Sequence, residues 1–273
     1  MRLIMTLLVR NEEDIIEANL RFHRAQGVDF FIVTDNGSED STLGILKRYE
    51  DKGWLHLIHE SDDDYDQSKW VTRMARIASV QYDADWIINN DADEFWYPTQ
   101  ADLKAVLESV PSDVGYLVVE RINYLPRSVE TGEPFWRRLT IRERVSLNYH
   151  GDVLPGKVCH RASPTVIVSQ GNHGVEGVSG TLSTTNEVQI LHFPLRGYQQ
   201  FENKIRLGGA AYERNTRVGP DAGRRWRDHY REYLAGNLPT VYREQVPTDQ
   251  EIQSGLQHGR YVEDLRLMRF FEP

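Results

Sequence analysis

The amino-terminal third of the chain alternates short apolar runs with stretches of helical spacing, and this leaves few folds open. Leu3 to Val9, Asp29 to Val33, Trp54 to Ile58 and Trp86 to Ile88 are too short and too continuously apolar for surface helices, and read as buried strands. The segments between them carry apolar residues at helical intervals. Ile15, Ile16, Leu20 and His23 form one stripe, which stops near Gly27. Leu43, Leu46 and Tyr49 form a second. Trp70, Met74, Ile77 and Ala78 form a third within a helix expected over Gln67 to Gln81. Asn11 and Ser41 are expected to cap the first two helices, with Glu12, Glu13 and Asp14 in the favourable first turn of one of them. The order β-α-β-α-β-α-β with short loops predicts an α/β fold whose parallel, doubly wound sheet is built by right-handed crossovers.

After Pro98 the pattern changes. A helix is expected at about Asp102 to Glu108 and a strand over Gly115 to Val119. From Asn123 to about Val188 the chain is rich in Gly, Pro and Asn, with short β-type runs at Arg138 to Val145 and Thr165 to Val168. Such segments read as added strands and long loops, where specificity resides. Val188 to Leu191 is a last short strand ending at His192, and the tail from Leu195 is expected to be helical.

The chemistry concentrates at the end of the fourth strand, where Asp91, Asp93 and Glu94 place three carboxylates within four residues. Ligands of open α/β sheets bind outside the carboxyl ends of the strands. Crowded carboxylates repel one another, and a divalent cation relieves the repulsion. Oxygen donors with no cysteine nearby favour Mg²⁺ or Mn²⁺ over zinc. A solvated acidic loop at the start of a helix is the plainer alternative. The acidic run Glu60 to Asp66 lacks the glycine and distal glutamate of an EF-hand and reads as a surface loop.

A net charge of −9 argues against a nucleic-acid partner, although a metal ion and local Arg or Lys still permit phosphate binding. Cys159 is the only cysteine, which removes intramolecular disulfides and cysteine-based zinc sites. The apolar run at the amino terminus is short for a membrane span and lacks a cleavage site, so neither a signal peptide nor a transmembrane segment is expected. The expected location is cytoplasmic.

Three motifs, each at the end of an expected strand, carry a resemblance. They are Val9-Arg10-Asn11-Glu12, the run Thr34-Asp35-Asn36-Gly37-Ser38-Glu39-Asp40-Ser41-Thr42, and Asp91-Ala92-Asp93. Together they resemble the GT-A type glycosyltransferases, specifically the family 2-like group, over roughly residues 1–125. Beyond that the likeness rests on His192 and the Phe201-Glu202-Asn203-Lys204 segment.

The resemblance implies a GT-A type fold in which residues 1–125 bind a nucleotide sugar. Residues 126–273 would supply acceptor-side strands, loops and C-terminal helices of the same domain. It implies a UDP- or GDP-sugar donor, a saccharide or glycoconjugate acceptor, and Mn²⁺ or Mg²⁺. Leu8, Val9, Arg10, Asn11, Asp35 and Asn36 would meet the nucleobase and ribose. Asp91, Asp93 and His192 would hold the metal, with Asp93 the direct ligand and Asp91 nearer the ribose.

Lys69 and Arg73, four apart on one helix, are candidates for the diphosphate, as are Lys204 and Arg206 more weakly. A solvated helix face accounts for such pairs equally well. An inverting transferase needs a general base, and Asp152 and Glu176 are the candidates, each in a Gly-flanked loop. His150, His160 and His173 are lone histidines for which an incidental role is the commoner outcome. The Gly171-Asn172-His173-Gly174 turn is the most site-like of these places. Trp96, Tyr97, Tyr124, Phe135 and Trp136 offer either stacking faces for a sugar or core packing.

Two other classes compete with this reading. A sugar nucleotidyltransferase needs a glycine-rich loop after the first strand, and Leu8-Val9-Arg10-Asn11 has no glycine. A non-catalytic nucleotide- or carbohydrate-binding protein would be marked by loss of the carboxylates, which are intact here.

Overall fold

The computed structural model describes residues 1–62, 66–127, 132–148, 151–215, 219 and 223–273. Most of the acidic run after Ser61, and His150, lie outside the described residues. The chain forms two compact units. The first comprises Met1–Ser61, Asp66–Ile122 and Ser146–His192, and the second comprises Asp62–Tyr65, Asn123–Val145 and Phe193–Pro273.

In the first unit the expected alternation is present: β1 (Leu3–Val9), α1 (Ile16–Ala25), β2 (Phe30–Asp35), α2 (Thr42–Asp51), β3 (Leu55–His59), α3 (Gln67–Gln81) and β4 (Trp86–Asp91). A tight turn leads from β4 into β5 (Glu94–Pro98), followed by α4 (Leu103–Glu108) and β6 (Val114–Val119). The main sheet runs in the order Thr181–Thr184, β6, Lys157–Arg161, β4, β1, β2, β3. β1 is parallel to β2 and to β4, and β2 is parallel to β3. Lys157–Arg161 is inserted between β4 and β6 antiparallel to both. Steps from β1 to β2 to β3 go one way and the step to β4 returns across β1. Right-handed crossovers therefore put α3 on the face opposite α1 and α2.

The sheet–helix core is explained by the strand pattern. Ile4, Ile32 and Ile87 point to one face, where Val71, Met74, Ala75 and Ala78 of α3 cover them. Each large side chain so buried contributes roughly 1.5–3 kcal/mol. A second, shorter pairing joins β5 antiparallel to Val188–His192, with His192 opposite Glu94.

Some local expectations are overturned. Asn11 does not cap α1, whose N-cap is Ile15 with no side-chain bond. Asn11 instead adopts a left-handed conformation (φ 54°) and bonds across to the loop after β2. Ser41 occupies the N-cap position of α2, but its side chain makes no capping bond. Of the segment read as β-type from Arg138, only Ile141–Glu143 is a strand, and it follows a helical turn over Phe135–Arg138. Trp96 lies wholly in the core of the first unit. Tyr124 and Phe135 lie in the core of the second, stacked and edge-on against Phe193. Tyr97 and Trp136 are partly exposed, and Trp136 Nε1 donates to Glu272.

The second unit is mainly helical, as its tail predicts, including Arg224–Leu234, Leu238–Gln245 and Asp249–Gln257. Phe201, Ile205, Leu238 and Tyr242 form its main apolar cluster. No helix among the described residues is long and apolar enough to cross a membrane.

Candidate active site

The carboxyl ends of β1, β2 and β4 lie side by side, with Val9 opposite Asp35 and Leu8 opposite Asp91. Because the chain steps outward from β1 in one direction and returns for β4, this end is the switch point where α/β sheets bind ligands. The loops after β1 and β2 are joined by reciprocal bonds. Asn11 N donates to Ser38 Oγ at 3.0 Å, and Glu39 N donates to Asn11 Oδ1 at 2.7 Å. Glu12 N donates to Thr42 Oγ1 at 2.8 Å, and Ser41 N to Glu13 Oε2 at 2.8 Å. These bonds explain why Asn11 leaves helix capping aside, and Glu12, Glu13 and Asp14, expected in the first turn of α1, precede it instead. Asp35 is buried at the end of β2, where its Oδ2 accepts from Ser38 N at 3.2 Å. Its Oδ1 is buried with no hydrogen-bond partner among the described residues, an acceptor open to a ligand donor. Asn36 N donates to Val9 O at 2.9 Å and its side-chain amide to Glu60 O at 3.3 Å.

The acid turn is held from beneath by amides. Asn19 Nδ2, from the middle of α1, donates to the carbonyls of Ala92 and Glu94 at 2.9 Å each. Asn90 Nδ2 donates to the same Glu94 carbonyl at 3.1 Å, and Asn90 Oδ1 accepts from Trp96 Nε1 at 2.9 Å. His23 Nε2 accepts from Trp96 N at 3.1 Å, so its proton sits on Nδ1, which reaches Asn19 O and Oδ1 at 2.9 Å each. Burial pushes the His23 pKa down to about 3, which keeps the ring neutral and the network intact. Asn19→Ala strips these groups of their partners and is expected to cost about 2–3 kcal/mol. Urea unfolding of the variant checks this, and an unchanged midpoint and slope would refute it.

Above the network, Asp93, Glu94 and His192 bring one possible ligand atom each to within 4.8 Å of one another. His192 Nε2 lies 3.7 Å from Asp93 Oδ1. Burial lowers the His192 pKa, with Asp93 opposing, so the imidazole is neutral and suited to metal ligation. Glu94 is fully buried, and its Oε2 has no hydrogen-bond partner among the described residues. Two carboxylates with a neutral imidazole, one carboxylate oxygen unsatisfied, fit a divalent ion such as Mn²⁺ or Mg²⁺.

Asp91 has other company. Lys157 Nζ donates to its Oδ2, while Asn172 Nδ2 and Gln67 Nε2 donate to Oδ1 at 3.1 and 3.4 Å. Lys157 also lies 3.2 Å from Glu94 Oε1, which Arg121 Nη1 approaches at 3.1 Å. Burial opposes the Lys157 charge, but Asp91 and Glu94 outweigh it and raise the pKa. In the turn singled out by sequence, Asn172 is the residue that reaches the cluster, from a left-handed conformation with φ 59°. His173 Nδ1 instead reaches Gly156 O at 2.7 Å.

The remaining sequence candidates are dispersed. Lys69 is exposed on α3, and Arg73 is paired with Glu60 at 2.9 Å. Asp152 is exposed in a loop and bonded to Asn148, and Glu176 is exposed on a two-stranded ribbon opposite Ile167. His160 is a buried core histidine of the strand Lys157–Arg161. In the second unit, Lys204 lies over the Trp226 ring at 5.7 Å, and Arg206 sits in the π-helical segment that follows. Lys157, Arg121, Gln67 and Asn19 carried no sequence signal. Each acquires its place through pairing of segments distant in the chain.

Glycosyltransferase family 92 is the family whose profile matches, over residues 5–236. Among curated proteins no sequence relative is found. The chain is similar in structure to S. aureus TarS 1-349 in complex with UDP-GlcNAc. That match has a TM-score of 0.50 and 13% identity, covering 87% of this chain and 72% of that one. It is also similar to the mannosyltransferase PcManGT from Pyrobaculum calidifontis in complex with GDP-Man and Mn²⁺. There the TM-score is 0.42 at 16% identity, covering 88% and 73%. The fold is of the GT-A type.

Proposed function

The chain belongs to glycosyltransferase family 92, and from that premise we propose a metal-dependent sugar transfer to an acceptor hydroxyl, as in polysaccharide or glycoconjugate synthesis. The donor is a UDP- or GDP-sugar, the metal is Mn²⁺ or Mg²⁺, and the setting is cytoplasmic. The observation that carries the metal reading is the convergence of Asp93, Glu94 and His192 at the switch point of the sheet. A bound divalent ion supplies Lewis-acid stabilisation of the departing diphosphate.

The chain's own residues have the following roles. The buried, unpartnered Asp35 Oδ1 accepts a ring N–H of uracil or guanine. The loop from Leu8 to Asn11, with Asn36, walls the nucleoside, and Asp91 lies on the ribose side of the metal ligands. Lys69, exposed near the start of α3, extends to the diphosphate, and Arg73 joins it on leaving Glu60. As the anomeric C–O(P) bond breaks, its electron pair goes to the diphosphate. The acceptor oxygen bonds to the anomeric carbon and gives its proton to a carboxylate. Asp152 and Glu176, both exposed, are the candidates for that base. TarS, which shares the fold, binds a nucleotide sugar, in line with this reading.

The test is a melting series with UDP and GDP, with and without Mn²⁺, followed by assay for a glycosylated product. A ligand at about 100 times its Kd stabilises the native state by about 2.7 kcal/mol. The expected result is a rise in Tm that needs both one nucleotide and Mn²⁺. No rise with any nucleotide, in protein shown to be folded, would remove the donor from the proposal.

A further inference from the structure

We propose that Lys157 is a built-in counter-cation that limits the acid cluster to one divalent ion and keeps Asp91 from ligating it. The inference rests on the metal reading of Asp93, Glu94 and His192 given above.

A lysine is almost never fully buried unless paired, and the Lys157 side chain is only 2% exposed. The antiparallel insertion of Lys157–Arg161 explains its place. The strand runs against β4 with Trp86 opposite Arg161 and Ile88 opposite Cys159, so its first residue lies toward the carboxyl end of β4 and its side chain reaches Asp91. The ammonium then lies between two carboxylates, donating to Asp91 Oδ2 and 3.2 Å from Glu94 Oε1. Arg121 adds a second cation at Glu94 Oε1, 3.1 Å away.

The consequence is electrostatic. Lys157 and Arg121 lie against Asp91 and Glu94, while Asp93 lies beside His192, so the three carboxylates exceed these two cations by one. Without Lys157 the excess would be two. Both oxygens of Asp91 carry protein donors, whereas Glu94 Oε2 carries none. The distribution therefore separates an anchored carboxylate from the ligating side of the cluster. It also lowers the repulsion that an entering diphosphate would meet.

Titration of the nucleotide-free protein with Mn²⁺, followed by the paramagnetic resonance of the free ion, tests this. The native chain is expected to bind one ion. Lys157→Met is expected to bind Mn²⁺ about tenfold more tightly or to take a second ion. Lys157→Arg keeps the charge and should match the native protein. The double variant Lys157→Met with Asp91→Asn restores the balance and should return to native affinity, even if the single variant folds poorly. Equal or weaker binding by Lys157→Met, with no reversal in the double variant, would reduce Lys157 to a structural pin while the metal site stands. Binding only after Lys157→Met would keep Lys157 as the resident cation and sink native metal use. No binding by any folded variant would sink both ideas.

Discussion

Asp93→Ala is expected to abolish the Mn²⁺-dependent rise in Tm and to reduce sugar transfer about 10²–10³-fold, the usual effect of losing one electrostatic contributor to a transition state. Asp93 is buried in the turn between β4 and β5, with Oδ1 3.7 Å from His192 Nε2. Its removal leaves only Glu94 and His192 of the three grouped ligand atoms. Asn19 and Asn90 bind the carbonyls of Ala92 and Glu94, not the Asp93 side chain, so the turn keeps its amide support in the variant. The fold should therefore survive, and loss of activity would report on the site itself. Asp91→Asn, by contrast, should weaken transfer without removing metal binding, since Asp91 is bonded to Lys157 and Asn172. An Asp93→Ala protein that transfers sugar at the native rate would end the metal reading.

A second large effect is expected on acidification. Between pH 6.5 and 5 the folded state should lose about 3 kcal/mol through two buried histidines. Burial pushes the pKa of His23 down to about 3 and that of His160 to about 4, from an ordinary value of 6.5. Below pH 6.5 the unfolded chain takes up a proton at each ring while the folded chain does not. Stability is therefore complete above that pH and falls as the pH drops toward the folded values. Each ring's contribution steepens toward about 1.4 kcal/mol per pH unit as the unfolded ring becomes fully protonated. Urea unfolding at pH 7 and pH 5 measures the loss, and His160→Asn should remove about half of it. A stability that stays level between the two pH values contradicts the prediction.

Both effects trace to residues whose legibility in the sequence differs. The parallel core was readable because β1 to β4 are nearly continuous apolar runs and α3 repeats its apolar face with helical period. The bounds of α3, Gln67–Gln81, follow directly from that stripe. The acid turn stood out because three carboxylates crowd the end of an apolar strand. His192 was found through the family resemblance, and β5 sets it opposite Glu94.

What escaped depends on contacts between distant segments. Nothing local to Lys157 says that its strand enters between β4 and β6. Nothing local to Asn19 says that a helix interior will bond the turn that carries the acids. Asn11 has the composition of a cap, yet the loop after β2 offers it Glu39 N and a left-handed turn, and these outweigh capping. In the Gly171-to-Gly174 turn the histidine drew notice, while the shorter asparagine tolerates the left-handed backbone that brings its amide to Asp91.

The antiparallel strand at Lys157 also sets an order on synthesis. Asp91 leaves the ribosome 66 residues ahead of the lysine that balances it. Until that lysine emerges, β4 and β6 have no strand between them, and the acid turn is a cluster of like charges on an unfinished sheet edge. His192, the last residue of this unit, arrives later still. A nascent chain halted before Lys157 thus displays Asp91 without its lysine partner and presents an open β edge to chaperones or to other chains.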